Sequence, residues 1–418
     1  MPHAPALRWF TFAALSLIFF VISAGAFSSL GVVLPAMVSE LHWNWTQAGL
    51  GYTLLGLACG LASLLPAVLI RRIGVRGTML AGTVCMTAGF AAMALTHSVW
   101  LFLAATVLIG LSFALVSTVP GTHVLTDLFR NRSTALGAYF TLGALGQVAG
   151  PLFYVGVHEM THGWRPYWWL FVGLALLAGL FAVTVCPGKR DESAHETAAP
   201  EIEGLADVLG GLKDWSVRRA LATPQFYVIV GGYTTFLLIN TTAHGFAVQH
   251  LSERGVDPRA AATMLSLEAL IGAGVTLLGG VIGEKVSAKK LMIASLSSIT
   301  VGMAGLALAS GWDLMMVYAL GVGLGLGLSL LASTVLLLDY FGKKPNLELF
   351  SIMCLISTSA ALGPAIGGWA RDTLGSFTSM FWVCVAITCA VLAATLFMRP
   401  PAISGSPASG RPTGAPAE

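Results

Sequence analysis

Charge is the scarcest feature of this sequence. Asp, Glu, Lys and Arg make up 10% of its 418 residues, while hydrophobic residues make up 56% and the mean hydropathy is +0.81. A water-soluble domain carries roughly 25% charged residues, so that class is excluded. Cysteine is scarce as well. The six present, Cys59, Cys85, Cys186, Cys354, Cys384 and Cys389, lie in or at the ends of apolar runs and form no CxxC pair, so neither a disulfide framework nor a metal site is expected. A phosphate-binding loop is missing too. Residues 321–327 read GVGLGLG inside an apolar run with no Lys and Ser or Thr after them, which fits glycine packing, and no cofactor is expected. Apolar residues do not alternate over segments of about ten, which excludes a membrane β-barrel.

What the chain does have is long apolar runs. About 20 residues at 1.5 Å each cross a bilayer core with every backbone amide bonded internally. Twelve such stretches are present, at about 9–37, 46–70, 77–97, 100–123, 134–157, 166–186, 226–250, 260–283, 290–310, 314–337, 349–370 and 377–397. The expected fold is an all-α membrane protein of twelve transmembrane helices. The SAGA segment at 23–26 resembles a signal cleavage site, but its apolar run is too long and eleven more follow, so the first span is expected to be retained.

The position of the charges matters more than the net +3. With both termini cytoplasmic, eighteen of the 22 Lys and Arg fall on the cytoplasmic side, and only Arg165, Arg254, Arg259 and Arg371 fall on the other. That is the positive-inside pattern, and it places the protein in the cell membrane with both termini inside. The basic residues orient the chain, so no nucleic-acid partner is expected.

The chain also repeats itself. Residues 127–151 read DLFRNRSTALGAYFTLGALGQVAGP, and residues 339–364 read DYFGKKPNLELFSIMCLISTSAALGP. Each opens on Asp and Phe, continues through a basic pair and closes an apolar run on Gly-Pro. Half a chain separates Phe129 from Phe341 and Pro151 from Pro364, a distance that marks a duplicated half and excludes a solenoid of short repeats. The expected units are residues 1–186 and 226–399, six spans each, with a cytoplasmic linker at 187–225 and a disordered tail at 400–418. Within the linker, Leu205, Val208, Leu212 and Trp215 have the spacing of a short helix lying on the membrane surface. Gly143, Gly146 and Gly150, with Gly137 before them, form a helix face suited to close packing, and Pro151 allows that helix to bend. Trp43 and Trp45 are expected at a membrane interface, where the chain turns back.

Few polar groups interrupt the spans. Glu268 is the one acidic residue well inside a span, and His244 follows the polar run Asn240, Thr241 and Thr242 in the preceding one. Ionisable groups in a bilayer are costly and so point to function. Antiparallel neighbours bring the two to similar depths, where a His and a carboxylate can exchange a proton near neutral pH. Glu268 and His244 are therefore the proton-coupling candidates. The alternative is a neutral Glu268 against a backbone carbonyl with His244 facing a vestibule. Ser28 and Ser29 sit on a small polar seam of the first span, which either lines a cavity or simply permits close helix packing.

The turn AVLIRRIGVRG at 67–77 resembles the loop between the second and third helices of the major facilitator superfamily of transporters. Arg72, Gly74 and Arg76 match its pattern, while Ala67 and Arg71 replace its first Gly and its Asp. The second half keeps Glu284 and Lys285 in GVIGEKVSAKK at 280–290. With the FRNR turn, the segments GWR at 163–165 and LGPAIGGWARD at 362–372 are most similar to the monocarboxylate and oxalate/formate branch, whereas GQVAGP at 146–151 resembles an antiporter motif. The resemblance implies two pseudo-symmetric six-helix halves, alternating access, and no enzymatic activity. It also implies gating contacts at Arg72, Gly74, Arg76, Asp127, Arg130, Glu284, Lys285 and Asp339. In the eighth span, Gly272 and Thr276 stand where that branch carries an Asp and a substrate-binding Arg. The expected substrate contacts are Ser28, Ser29, Asn240, Thr241, His244 and Thr276. The function implied is proton-coupled uptake of a small organic acid or related metabolite by a monomer in the bilayer, with proton-driven efflux as the rival. A membrane enzyme or a sensor would need a polar catalytic cluster or an added domain, and the sequence shows neither.

Overall fold

A computed structural model describes residues 5–129, 132–186, 215–283, 286–342 and 345–401. Every regular element among them is helical, as an apolar solvent requires, because only a helix bonds its own backbone along a single segment. The first half contains α1 (Pro5–Ser23), α2 (Ser29–Leu41), α3 (Trp45–Leu61), α4 (Leu65–Ala94), α5 (Val99–Val116), α6 (Thr118–Leu128), α7 (Arg132–Thr161) and α8 (Arg165–Val185). After the short α9 (Val217–Leu221), the second half contains α10 (Pro224–Glu253), α11 (Pro258–Gly283), α12 (Ala288–Leu308), α13 (Trp312–Phe341), α14 (Asn346–Ser357), α15 (Gly363–Leu374) and α16 (Thr378–Phe397).

Among the described residues, eleven helical segments are long and apolar enough to cross a membrane. The remaining crossing is α3, which at 17 residues falls just short and continues through a 3-10 turn at Ala62–Leu64 into the start of α4. Gly74 then breaks α4 with φ 75°, a left-handed angle that a side chain resists, and so separates the second crossing from the third. The fourth crossing is α5 with α6, and the eleventh is α14 with α15. Twelve crossings return the chain to the face where it began, called here the terminal face; the opposite face is the distal one.

Packing divides the bundle in two. Within the halves, α4 lies against α5 and α8, and α13 lies against α12 and α11. Between the halves the main seams are α3 with α15 and α7 with α11, which the internal repeat relates to each other, and α10 crosses α2. Glycines set several of these distances. At Gly146 and Gly150 an added Cβ would meet the carbonyls of Phe20, on α1, and of Ala24, just after it, whereas at Gly137 it would meet nothing. The glycine face expected on α7 is therefore real over its last three members, and Gly137 lies outside the contact.

Of the expected interfacial helix in the linker, residues 205–214 lie outside the described residues, as do the basic pair 343–344 and the tail from 402. Trp215 is described, and its ring meets Phe341 edge-on at 5.4 Å. Trp45 is not the interfacial anchor expected of it. It is buried, edge-on to Phe246 at 6.1 Å and to Phe377 at 5.3 Å, because the second half closes over the start of α3.

Candidate functional site

α10 and α11 run antiparallel, and about ten residues in from their distal ends they bring His244 and Glu268 together. His244 Nε2 lies 3.3 Å from Glu268 Oε2, with each side chain only 2% exposed. The other ring nitrogen, Nδ1, lies 2.7 Å from the carbonyl oxygen of Asn240. A carbonyl can only accept, so Nδ1 carries the proton and donates it there. Nε2 is thereby aimed at the carboxyl, though not on a hydrogen-bonding line with it, and neither Nε2 nor Oε2 has a hydrogen-bond partner among the described residues. Tyr318 of α13 lies within electrostatic reach of Glu268, and its buried hydroxyl is likewise unpartnered there.

The same residue joins the pair to the other half. Tyr52 of α3 donates its hydroxyl to the carbonyl of Phe27 and lies 3.4 Å from the carbonyl oxygen of His244. Gly31 of α2 packs directly on that His244 carbonyl, where a Cβ would collide. His244 thus presents its ring to Glu268 and its backbone to the first half.

The remaining expected contacts separate into different roles. Ser28 and Ser29 are fully buried beside the π-helical turn Ala24–Ser28 that joins α1 to α2. Ser29 Oγ donates to the carbonyl of Ala24, while Ser28 Oγ is buried without a partner among the described residues. A π turn widens the helix by one residue and leaves such groups to be satisfied by side chains. Thr241 donates to the carbonyl of Leu237 at 2.9 Å. Thr276 donates to the carbonyls of Gly272, at 2.9 Å, and Gly327, at 3.1 Å, so its hydroxyl helps join α11 to α13. Asn240 is half-buried, and its side-chain amide has no hydrogen bond among the described residues.

Of the expected gating residues, Arg72 and Arg76 are exposed beside the Gly74 turn, and Asp339 is exposed near the end of α13. Asp127 lies on α6, but its side chain, together with Arg130, Glu284 and Lys285, lies outside the described residues. Three groups that sequence reasoning passed over take part in the assembly: Tyr52, Glu40 and Asp372. Glu40 accepts from Trp164 Nε1 at 2.6 Å and pairs with Arg165, which explains the GWR segment as an anchor for the end of α2. Asp372 was visible in LGPAIGGWARD, but its partners lie more than 300 residues away. At the distal face a cavity of about 380 Å3 is lined by Arg254 and Arg371. Both guanidinium groups are engaged, Arg371 with Glu253 at 2.9 Å and Arg254 with the carbonyl of Ala309 at 3.3 Å and Thr378 at 3.1 Å.

Known proteins agree with this architecture. The sequence profile of the Major Facilitator Superfamily matches residues 15–346 and 234–417. An uncharacterized transporter of Bacillus subtilis (strain 168), YycB, is 24% identical over 366 residues, 84% of each chain. Among solved structures, the nucleoside transporter NupG superposes with a TM-score of 0.72 at 12% identity, covering 93% of this chain and 98% of its own. The tetrameric PepTSo2 superposes with a TM-score of 0.67 at 14% identity, covering 93% and 97%. At such identities the likeness is one of fold.

Proposed function

The chain belongs to the Major Facilitator Superfamily of membrane transporters, and from that premise we infer that it is a secondary transporter coupling a small organic acid, or a related metabolite, to protons by alternating access. The observation that carries this reading is the buried His244 and Glu268 pair. With Nδ1 committed to Asn240, a neutral ring and an ionised carboxylate would face each other as two acceptors, which is repulsive. One added proton turns the contact into an attraction, whichever partner holds it. The pair is therefore a one-proton site in a low-dielectric setting where a proton is kept or released as a unit. Its link to the opposite half runs through His244 itself, whose carbonyl meets Tyr52 and Gly31. Moving the halves apart at that level must disturb the backbone that aims the ring.

The substrate class rests on charge. Away from their ends the spans carry no Lys or Arg, so a protonated His244 is the cation that a substrate carboxylate would meet within the bundle. Symport of an acid with a proton moves no net charge through an apolar bundle, which fits so weakly charged an interior. Asn240, with its uncommitted amide, and Ser28, with its unpartnered hydroxyl, are the polar groups we assign to the substrate. With both termini cytoplasmic, the distal face is the outer one. The test is uptake of a panel of monocarboxylates into proteoliposomes with and without an inward proton gradient. Acid-stimulated accumulation of one of them is expected, whereas gradient-driven extrusion of uncharged or cationic compounds would overturn the reading.

A further inference from the structure

We propose that Asp372 of the second half and Trp45 of the first form a clasp that holds the distal face shut. The start of α3 already has its own cap: Asn44 Oδ1 accepts from Gln47 N at 2.8 Å, and Gln47 Oε1 accepts from Asn44 N at 3.2 Å. That box leaves the N–H groups of Trp45 and Thr46 without intrahelical partners, as at every helix start. Asp372, near the end of α15, supplies both. Its Oδ1 accepts from Trp45 N at 3.0 Å, and its Oδ2 accepts from Thr46 N at 2.8 Å and from Thr46 Oγ1 at 2.6 Å. A carboxylate at a helix N-terminus combines charge-assisted hydrogen bonds with the positive end of the helix dipole.

The exchange runs both ways. Thr53 Oγ1 of α3 accepts from Ala365 N, in the first turn of α15, at 3.1 Å, so each helix caps the other across the boundary between the halves. Gly368 of α15 packs on the Trp45 carbonyl, where any Cβ would collide, and the Trp45 ring stands edge-on to the stacked pair Phe246 and Phe377. Neighbouring Arg371 does not compete for Asp372, because its Nε binds Glu253 within its own half. Asp372 is itself exposed, so separating the halves at this end would break its three hydrogen bonds, uncover the shielded Trp45 N–H and open the aromatic contact at the same time. Asp372 is in this sense a positioning residue for the transport cycle and touches no solute.

The clasp rests on the alternating-access reading but not on proton coupling, and its test needs neither substrate nor gradient. Spin labels are placed in pairs that span the halves, at Met160 and Trp312 on the distal face and at Ile73 and Phe397 near the terminal face, all exposed positions. Pulsed dipolar distances are then measured on the full chain in lipid nanodiscs for the parent, Asp372→Ala, Asp372→Asn and Thr46→Val. Asp372→Ala is expected to raise the distal-open population roughly tenfold, within the usual range of coupling effects, lengthening the distal distance while the terminal distance shortens. The two milder substitutions are expected to shift both distances the same way by less, and they keep the test available if the alanine variant does not fold. Unchanged distal distances in the variants that fold, or equal broadening at both faces, would overturn the proposal.

Discussion

Two buried acceptors facing each other make an unstable arrangement that one proton resolves, and this defines what single substitutions at the pair should do. Glu268→Gln keeps the volume and can still donate toward His244 Nε2, but it cannot release a proton. Accumulation driven by a proton gradient should fall about tenfold or more, and its pH dependence should flatten, while substrate exchange without a gradient persists. Proteoliposome transport measured across pH 5–8 checks this, and an unaltered pH profile would remove Glu268 from the mechanism. Gly31 offers a purely steric counterpart. Gly31→Ala places a methyl group against the His244 carbonyl, and overpacking of about 1–3 kcal/mol against the distal-closed arrangement is expected. Slower transport with retained pH dependence would separate that effect from loss of the proton site.

Helix packing supports the reading of the α7 part of the repeated stretch, residues 135–151, as framework. Gly143, Gly146 and Gly150 of α7 rest on Phe19 and Phe20 of α1 and on Ala24 at the start of the π turn, whereas Gly137 and Gly156 of the same helix face open space. Gly146→Ala is expected to lower the thermal stability of the purified protein by the equivalent of about 1–3 kcal/mol. Gly137→Ala should be neutral or stabilising by up to about 1 kcal/mol through helix propensity. Equal effects at the two positions would show that α7 does not use this face. The sequence identified the glycine spacing, yet spacing alone could not say which glycine meets a neighbour, because that depends on where α1 lies.

The arrangement of the whole molecule sets its orientation and its switch. Among the described residues, Arg8, Arg71, Arg72, Arg76, Lys289, Lys290 and Arg399 lie toward the terminal face, and on the proposed orientation, with both termini cytoplasmic, an impermeant thiol reagent applied to intact cells should label Met160→Cys and not Phe397→Cys in a background without native cysteines. Both parent residues are more than four-fifths exposed, at 83% and 85%. Labelling of Phe397→Cys alone would reverse the topology. Not every contact between the halves carries weight. Arg259 and Glu159 pair at 3.2 Å across the distal face, but with 67% and 44% of their side chains exposed their attraction is screened. Arg259→Gln should change stability by less than about 1 kcal/mol. The proposed clasp differs in resting on a helix start whose Trp45 is buried between the halves, although Asp372 itself is exposed.

The sequence by itself determined the class, the twelve crossings, the duplication and the candidacy of Glu268 and His244. A bilayer imposes length and apolarity on every span and makes each internal charge conspicuous, and these constraints can be read along a single chain. The pairing of the two residues, the commitment of His244 Nδ1 to Asn240, the packing roles of Ser29 and Thr276, and the part played by Tyr52 and Asp372 were decided only by tertiary structure. Each depends on how helices far apart in the chain are rotated and seated against one another. Periodicity within one apolar span cannot encode that, because nearly every face of such a helix looks alike. The α7 part of the repeated stretch packs on the first span through three of its glycines, while the clasp proposed at the start of α3 depends on a carboxylate from the eleventh crossing.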